Sequence, residues 1–274
     1  MNEKCKRLTA AAIVFMLILN QTFATIWLVD NQSTVADDQN PGTSWIAPLE
    51  TIGEAINRLN LNGGDKIFIK PGVYYENPIV ISGINVTNGN TIIRGYPDTD
   101  PTKIIIKPKS IGIGTGLKIV NCKNLYFYYM TVTDWSQGVQ IYESFNVKFI
   151  SVNICNIDYY AAAIQHLSDT ILFENCKIYN TGRYSETHNA EGFYIGKSSY
   201  TGTSDPFYPD NTKNITIRGC EIFNTRAEAI NVKGEAMNVT VESCYIHDLD
   251  IYNGAAIHLE QGPEINCSSH KFFA

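Results

Sequence analysis

The sequence predicts an all-β fold class, a right-handed single-stranded parallel β-helix (a solenoid) with a short N-terminal capping helix. Two observations carry that prediction. An eleven-residue pattern recurs along the chain, and within each copy the apolar residues alternate at a period of two, pause, and alternate again. The five copies start at Asn124, Asn146, Thr170, Asn214 and Asn238 and read NLYFYYMTVTD, NVKFISVNICN, TILFENCKIYN, NITIRGCEIFN and NVTVESCYIHD. They agree in character at six positions, among them the fourth (Phe127, Phe149, Phe173, Ile217, Val241) and the ninth (Val132, Ile154, Ile178, Ile222, Ile246). A unit this short cannot bury its own apolar face. Stacking successive turns at the strand spacing of roughly 4.8 Å buries a continuous core and pairs each backbone strand with the next. Helical repeats would show a period of 3.6 and leucine-rich repeats a denser leucine frame, and these segments show neither.

In chain order, the first element expected is a secretory signal, residues 1–24. Lys4, Lys6 and Arg7 form a positive start, an apolar run of about 12 residues follows from Leu8 to Leu19, and Thr22-Phe23-Ala24 offers small residues before a cut after Ala24. The run falls short of the roughly 20 residues that span a bilayer. An uncleaved anchor is the alternative. The expectation is a secreted, extracellular protein with no membrane association after signal removal. Residues 25–274 are then expected as one β-helix domain, with a capping segment at 25–65 and coils at 66–267.

In the capping segment, Thr51 can N-cap a helix whose apolar face is Ile52, Ala55, Ile56 and Leu59, and Asn62-Gly63-Gly64 stops it. Lys66 to Lys70 is expected as the first full strand. Asp37 and Asp38 read either as an ordinary polar loop or as calcium ligands. The run from Asp37 through Asn40-Pro41-Gly42-Thr43, Thr51-Ile52, Ala55-Ile56 and Gly64-Asp65 to Gly72-Val73-Tyr74 resembles the N-terminal entry of pectate-lyase-like β-helix proteins. The resemblance implies a helix capping the open end of the solenoid.

Copy starts are spaced by 22, 24, 44 and 24 residues, so the long interval holds one coil or two, lengthened by loops at 182–190 and 198–213. The Asn/Asp column at position eleven (Asp134, Asn156, Asn180, Asn224, Asp248) suits a tight bend, because these side chains tolerate left-handed backbone and bond locally. The column of Cys176, Cys220 and Cys244 points inward, where buried thiol packing and a disulfide between neighbours are both open, while zinc lacks a His ladder or CxxC pair. Five sequons follow the signal, at Asn31, Asn85, Asn214, Asn238 and Asn266, making glycosylation an expectation for a eukaryotic secretory route. Past Cys267 no helix pattern covers the end. The tail folds over it, a partner covers it, or the chain is truncated.

The charge balance is acidic, 21 Lys+Arg against 27 Asp+Glu with net charge −6, which disfavours nucleic acid as a partner. Chemistry is expected where three segments share a frame, Ala190–Gly196, Ala227–Lys233 and Gly254–Glu260. Phe193, Ile230 and Ile257 point inward; Tyr194, Asn231 and His258 form one outward column, and Gly196, Lys233 and Glu260 the next. Glu191 stacks over Glu228. Arg226, and Arg183 with His188, are expected to overhang this strip. Such a strip suits β-elimination from a uronate: Glu191 and Glu228 hold a calcium ion, Lys233 is the base, and Arg226 and His258 assist. A calcium ion and Arg226 would depress the Lys233 pKa. Tyr194, Asn231, Glu260, Arg183 and His188 would contact substrate, and Tyr200, Phe207 and Tyr208 of the insertion would stack on sugar rings. A solvated face of paired surface charges is the plain structural reading, and a glycosidase using Glu228 and Glu260 is a further one.

Glu228-Ala-Ile-Asn-Val-Lys233 followed by Asn238 resembles the motif of polysaccharide lyase family 6, the chondroitinase B and alginate lyase family. That resemblance implies that Glu228 binds calcium and Lys233 is the base. Arg226 stands where the family carries a second acidic ligand, and Glu260 falls near its arginine of the next coil. The functional expectation is a secreted polysaccharide lyase acting on an extracellular or cell-wall uronate polymer with Ca2+. The alternative is a non-catalytic carbohydrate-binding or surface-adhesion β-helix protein.

Overall fold

The computed structural model describes residues 24–97, 99–183, 190–197, 209–250, 255–260, 265–268 and 271–272. Residues 1–23 of the expected signal, His188, Tyr200, Phe207 and Tyr208 lie outside them. The described chain is a parallel β-helix. One sheet of 15 strands and one of 7 strands run its length, and all named strand pairs are parallel.

Each coil turns three corners. The long strands Lys123–Thr133 and Phe145–Cys155 lie on two faces each and bend at Tyr129 (φ 56°) and Ser151 (φ 53°). All five position-eleven residues take left-handed backbone, Asp134 (φ 67°), Asn156 (φ 54°), Asn180 (φ 55°), Asn224 (φ 50°) and Asp248 (φ 47°). So do all five copy starts, from Asn124 (φ 59°) to Asn238 (φ 52°). Stacking turns these corners into ladders. Asn180 Nδ2 donates to Asn156 Oδ1 at 2.9 Å, and Asn146 Nδ2 donates to Asn124 Oδ1 at 2.5 Å. Asn214 and Asn238 sit in that second ladder, with Asn238 Nδ2 donating to Asn214 Oδ1.

The core follows the copies. Phe127, Phe149 and Phe173 stack with centroids 4.6 and 4.8 Å apart and planes within 7°. Cys176, Cys220 and Cys244 are buried free thiols bonding to backbone carbonyls, such as Cys176 Sγ to Phe149 O at 3.4 Å. The long interval is a single coil, since Ile171 pairs directly with Ile215 and Phe173 with Ile217.

Two expectations at the N-terminal end need correction. Among the described residues the first strand is not the expected Lys66–Lys70 but Ile26–Val29, which pairs in parallel with Lys66–Ile69 and makes part of the capping segment a coil edge. The helix Ile52–Asn57 is shorter than the pattern suggested and ends at Arg58, well before Gly63. Thr51 does cap it, accepting from Glu54 N at 3.1 Å. A second cap comes from the following coil, where buried Glu76 accepts from Ile52 N at 2.7 Å and Gly53 N at 3.3 Å. Asp38 accepts from Glu50 N at 3.0 Å and Thr51 N at 2.9 Å, and Asp37 from Gln39 N at 2.8 Å, so both organise a polar loop. At the other end, Ile265–Ser268 and Lys271–Phe272 extend the 15-stranded sheet rather than folding across it. Among the described residues no helix is long and apolar enough to cross a membrane.

Candidate functional site

The strip forms on the 7-stranded sheet because parallel register repeats each outward position from coil to coil. Tyr194 pairs with Asn231 and Asn231 with His258, while Phe193, Ile230 and Ile195, Val232 point into the core. Lys233 N donates to Ile195 O at 2.8 Å and Glu260 N to Val232 O at 2.9 Å, which puts both in the next outward column after Gly196. On the other side, Ala161 N donates to Glu191 O and Gly192 N to Glu228 O, each at 3.0 Å, so Glu191 and Glu228 stack on adjacent coils. The backbones approach closely here: a Cβ on Gly192 would lie 2.5 Å from Ala229 O.

One amide joins the carboxylates. Asn231 Nδ2 lies 3.2 Å from Glu191 Oε1 and 3.4 Å from Glu228 Oε2. Glu191 Oε2 and Asn231 Oδ1 are buried without a hydrogen-bond partner. Burial pushes the Glu191 carboxyl above the usual carboxylate range and the Glu228 charge pushes the same way, while its own backbone N–H, Lys233 and the Asn231 hydrogen bond oppose. Lys233 Nζ sits 4.9 Å over the Tyr194 ring. His258 is half-exposed, with Nδ1 3.9 Å from Glu228 Oε1. Glu260 Oε2 accepts from Gly234 N at 3.0 Å.

The strip continues upstream through residues the sequence reading passed over. Tyr160 occupies the Glu191 column one coil earlier, and Gln140 Nε2 donates to Tyr160 Oη and to Gln137 Oε1, both at 2.8 Å. The signal was present, since Tyr160 precedes Ala161-Ala162-Ala163-Ile164 in the same frame in which Glu191 precedes Gly192-Phe193.

Arg183 and Arg226 do not overhang the strip as expected. Arg183 Nη2 pairs with Asp158 Oδ1 at 2.9 Å and Nη1 with Asp134 Oδ1 at 3.1 Å. Arg226 Nη1 donates to Gly182 O at 3.4 Å and Nε lies 3.9 Å from Asp250. Both line a separate cleft of about 380 Å3 with Asn180 and Asn224, and neither bonds to Glu191, Glu228 or Lys233. The reason is the corner: each arginine sits just past the asparagine ladder, before the chain turns onto the 7-stranded sheet.

Among the described residues no group of three or more His, Cys, Asp or Glu side chains is gathered to hold a metal ion. The donors here are two carboxylates and an amide. Two of their oxygens, Glu191 Oε2 and Asn231 Oδ1, are buried and unsatisfied, and an all-oxygen set fits a hard cation such as calcium.

A solenoid of stacked parallel coils defines a class of protein. The family described as "Right handed beta helix region" matches residues 137–273, half of the chain, and the chain belongs to it. No curated protein sequence matches. Among solved structures, the chain is similar to an alginate lyase from Paenibacillus sp. str. FPU-7, with TM-score 0.70 and 18% identity over 81% of this chain and 72% of that one. It is also similar to pectate lyase Pel9A (TM-score 0.64, 15% identity, 92% of this chain) and to a rhamnogalacturonan lyase (TM-score 0.60, 17% identity, 90% of this chain). The chain spans 64% and 63% of the length of these last two.

Proposed function

We propose that the protein is a secreted polysaccharide lyase that cleaves a uronate-containing polymer by β-elimination at the Glu191–Glu228–Lys233 strip. The observation that supports this best is the pair of carboxylates on adjacent coils, bridged by Asn231, with Lys233 in the next column. The three similar structures whose names are lyases share the fold and lend the polysaccharide reading weight.

In this reading Lys233 takes the proton from the carbon beside the substrate carboxylate. Those electrons form the double bond as the β-placed glycosidic bond breaks. The Tyr194 ring under Nζ holds the lysine in place. His258, half-exposed at the edge of the strip, or a water donates a proton to the leaving oxygen. Glu191, Glu228 and Asn231 Oδ1 would hold a calcium ion, which supplies positive charge to the substrate carboxylate. The second reading, a non-catalytic carbohydrate-binding protein, is favoured by Glu260, which stands near the expected arginine and is committed to Gly234 N.

The test is absorbance at the unsaturated-uronate band, with mature protein, calcium, and pectate, alginate and chondroitin-type polymers. A rise that disappears in Lys233→Ala and on chelation supports the lyase. A folded protein that gives no rise on any polymer, yet binds one, supports the second reading.

A further inference from the structure

A second surface lies on the 15-stranded sheet, away from the strip. Its outward columns run Lys66, Ile92, Tyr126, Lys148 and Phe68, Arg94, Tyr128, Ile150 across four successive coils. At strand spacing that is a straight face of roughly 15 Å. Aromatic rings cover it and remain half-exposed. Phe68 stacks on Tyr96 (5.1 Å, 9°), and Tyr96 on Trp45 (5.9 Å, 13°).

Each ring cluster carries a cation. Lys70 Nζ lies 4.6 Å over Trp45, Arg94 Cζ 5.2 Å over Tyr129, and Lys148 Nζ 4.7 Å over Tyr126. Lys70 also pairs with Asp30 at 2.8 Å, whereas among the described residues no carboxylate lies within ion-pair distance of Lys66, Arg94 or Lys148. The same column further along is self-neutralised, with Arg218 pairing Glu174 at 3.2 Å and also Glu242. In a chain of net charge −6, the upstream half of this face therefore concentrates uncompensated positive charge among aromatic rings.

We infer that this aromatic and cationic face is a second docking surface for an acidic polysaccharide, separate from the strip. Paired ring and cation at coil intervals match a chain of sugar rings that each carry a carboxylate: the ring's C–H face lies on the aromatic and the carboxylate on the cation. The choice of a uronate polymer as occupant rests on the lyase reading, but occupancy does not depend on catalysis.

The experiment measures equilibrium binding in a Lys233→Ala background, using polygalacturonate, alginate and chondroitin sulfate, with dextran and single-stranded DNA as comparisons. The parent is expected to bind at least one acidic polymer, more weakly as salt rises, and not to bind dextran. Arg94→Glu with Lys148→Glu is expected to weaken that binding about tenfold while melting as the parent does. Tyr96→Ala, which keeps every charge, is expected to weaken it as well. The proposal is overturned if no acidic polymer binds the parent, if DNA binds in preference, or if the charge-reversed protein binds as tightly as the parent. Absence of lyase activity in the protein with Lys233 intact, while acidic polymer still binds, counts against the strip and leaves this surface standing.

Discussion

Asn231 Nδ2 stands between Glu191 Oε1 at 3.2 Å and Glu228 Oε2 at 3.4 Å, so one neutral amide joins two carboxylates on adjacent coils. Stacked like charges on neighbouring parallel strands repel, and the amide hydrogens are what the fold places between them.

Glu191 carries the cost of that arrangement. Its folded pKa is raised, chiefly by burial, so its contribution to stability is fully present below the unfolded carboxylate value of about 4.3 and is lost as pH rises through the higher folded value. Glu191→Gln is therefore expected to melt higher than the parent at neutral pH without calcium, and to match it in acid. Melting curves across pH check this. An equal gap at every pH would show that ionisation of Glu191 is not the cause.

Asn231→Asp replaces the amide with a third carboxylate. Without calcium, the variant should lose on the order of 1–3 kcal/mol at neutral pH, the cost of a buried polar group left uncompensated. Calcium should restore more stability to it than to the parent, because binding to the native state adds to stability by mass action. Denaturant titrations with and without calcium read both effects. Equal calcium shifts in the two proteins would place the ion elsewhere.

The corner ladder yields a graded series. Asn180 holds left-handed backbone (φ 55°) and donates to Asn156 at 2.9 Å. Asn180 also accepts from Asn224 Nδ2 at 3.3 Å, so Asn180→Gly should lose both ladder bonds, about 1 kcal/mol each, whereas Asn180→Ala loses them and adds backbone strain. Urea midpoints in the order Asn, Gly, Ala are the expected result, and an alanine variant as stable as the parent would contradict it.

The buried thiols should be inert. Cys220 is pushed up by its hydrogen bond with Cys176 and by burial, and Cys244 by its bond with Cys220 and by burial. Alkylation followed by peptide mapping should leave Cys122, Cys155, Cys176, Cys220 and Cys244 unmodified in the folded protein and label all of them in denaturant. A disulfide joining any two of Cys176, Cys220 and Cys244 would refute the free-thiol column.

By itself, the sequence determined which apolar side chains of the copies face inward and one corner of the coil, the bend at position eleven. Both are local: the alternation at Phe127, Phe149 and Phe173 is a property of single strands, and asparagine tolerates left-handed backbone wherever it stands. Because the side-chain period is two, the same frame also placed Tyr194, Asn231 and His258 in one column. Tertiary structure alone decided what depends on how far apart two coils lie in the chain. It joined Ile171 to Ile215 in one coil and started the sheet at Ile26. It turned Arg183 toward Asp158, 25 residues earlier, and set Lys148 over Tyr126, 22 residues away in the repeat, because partners across a solenoid are chosen by register and corner geometry.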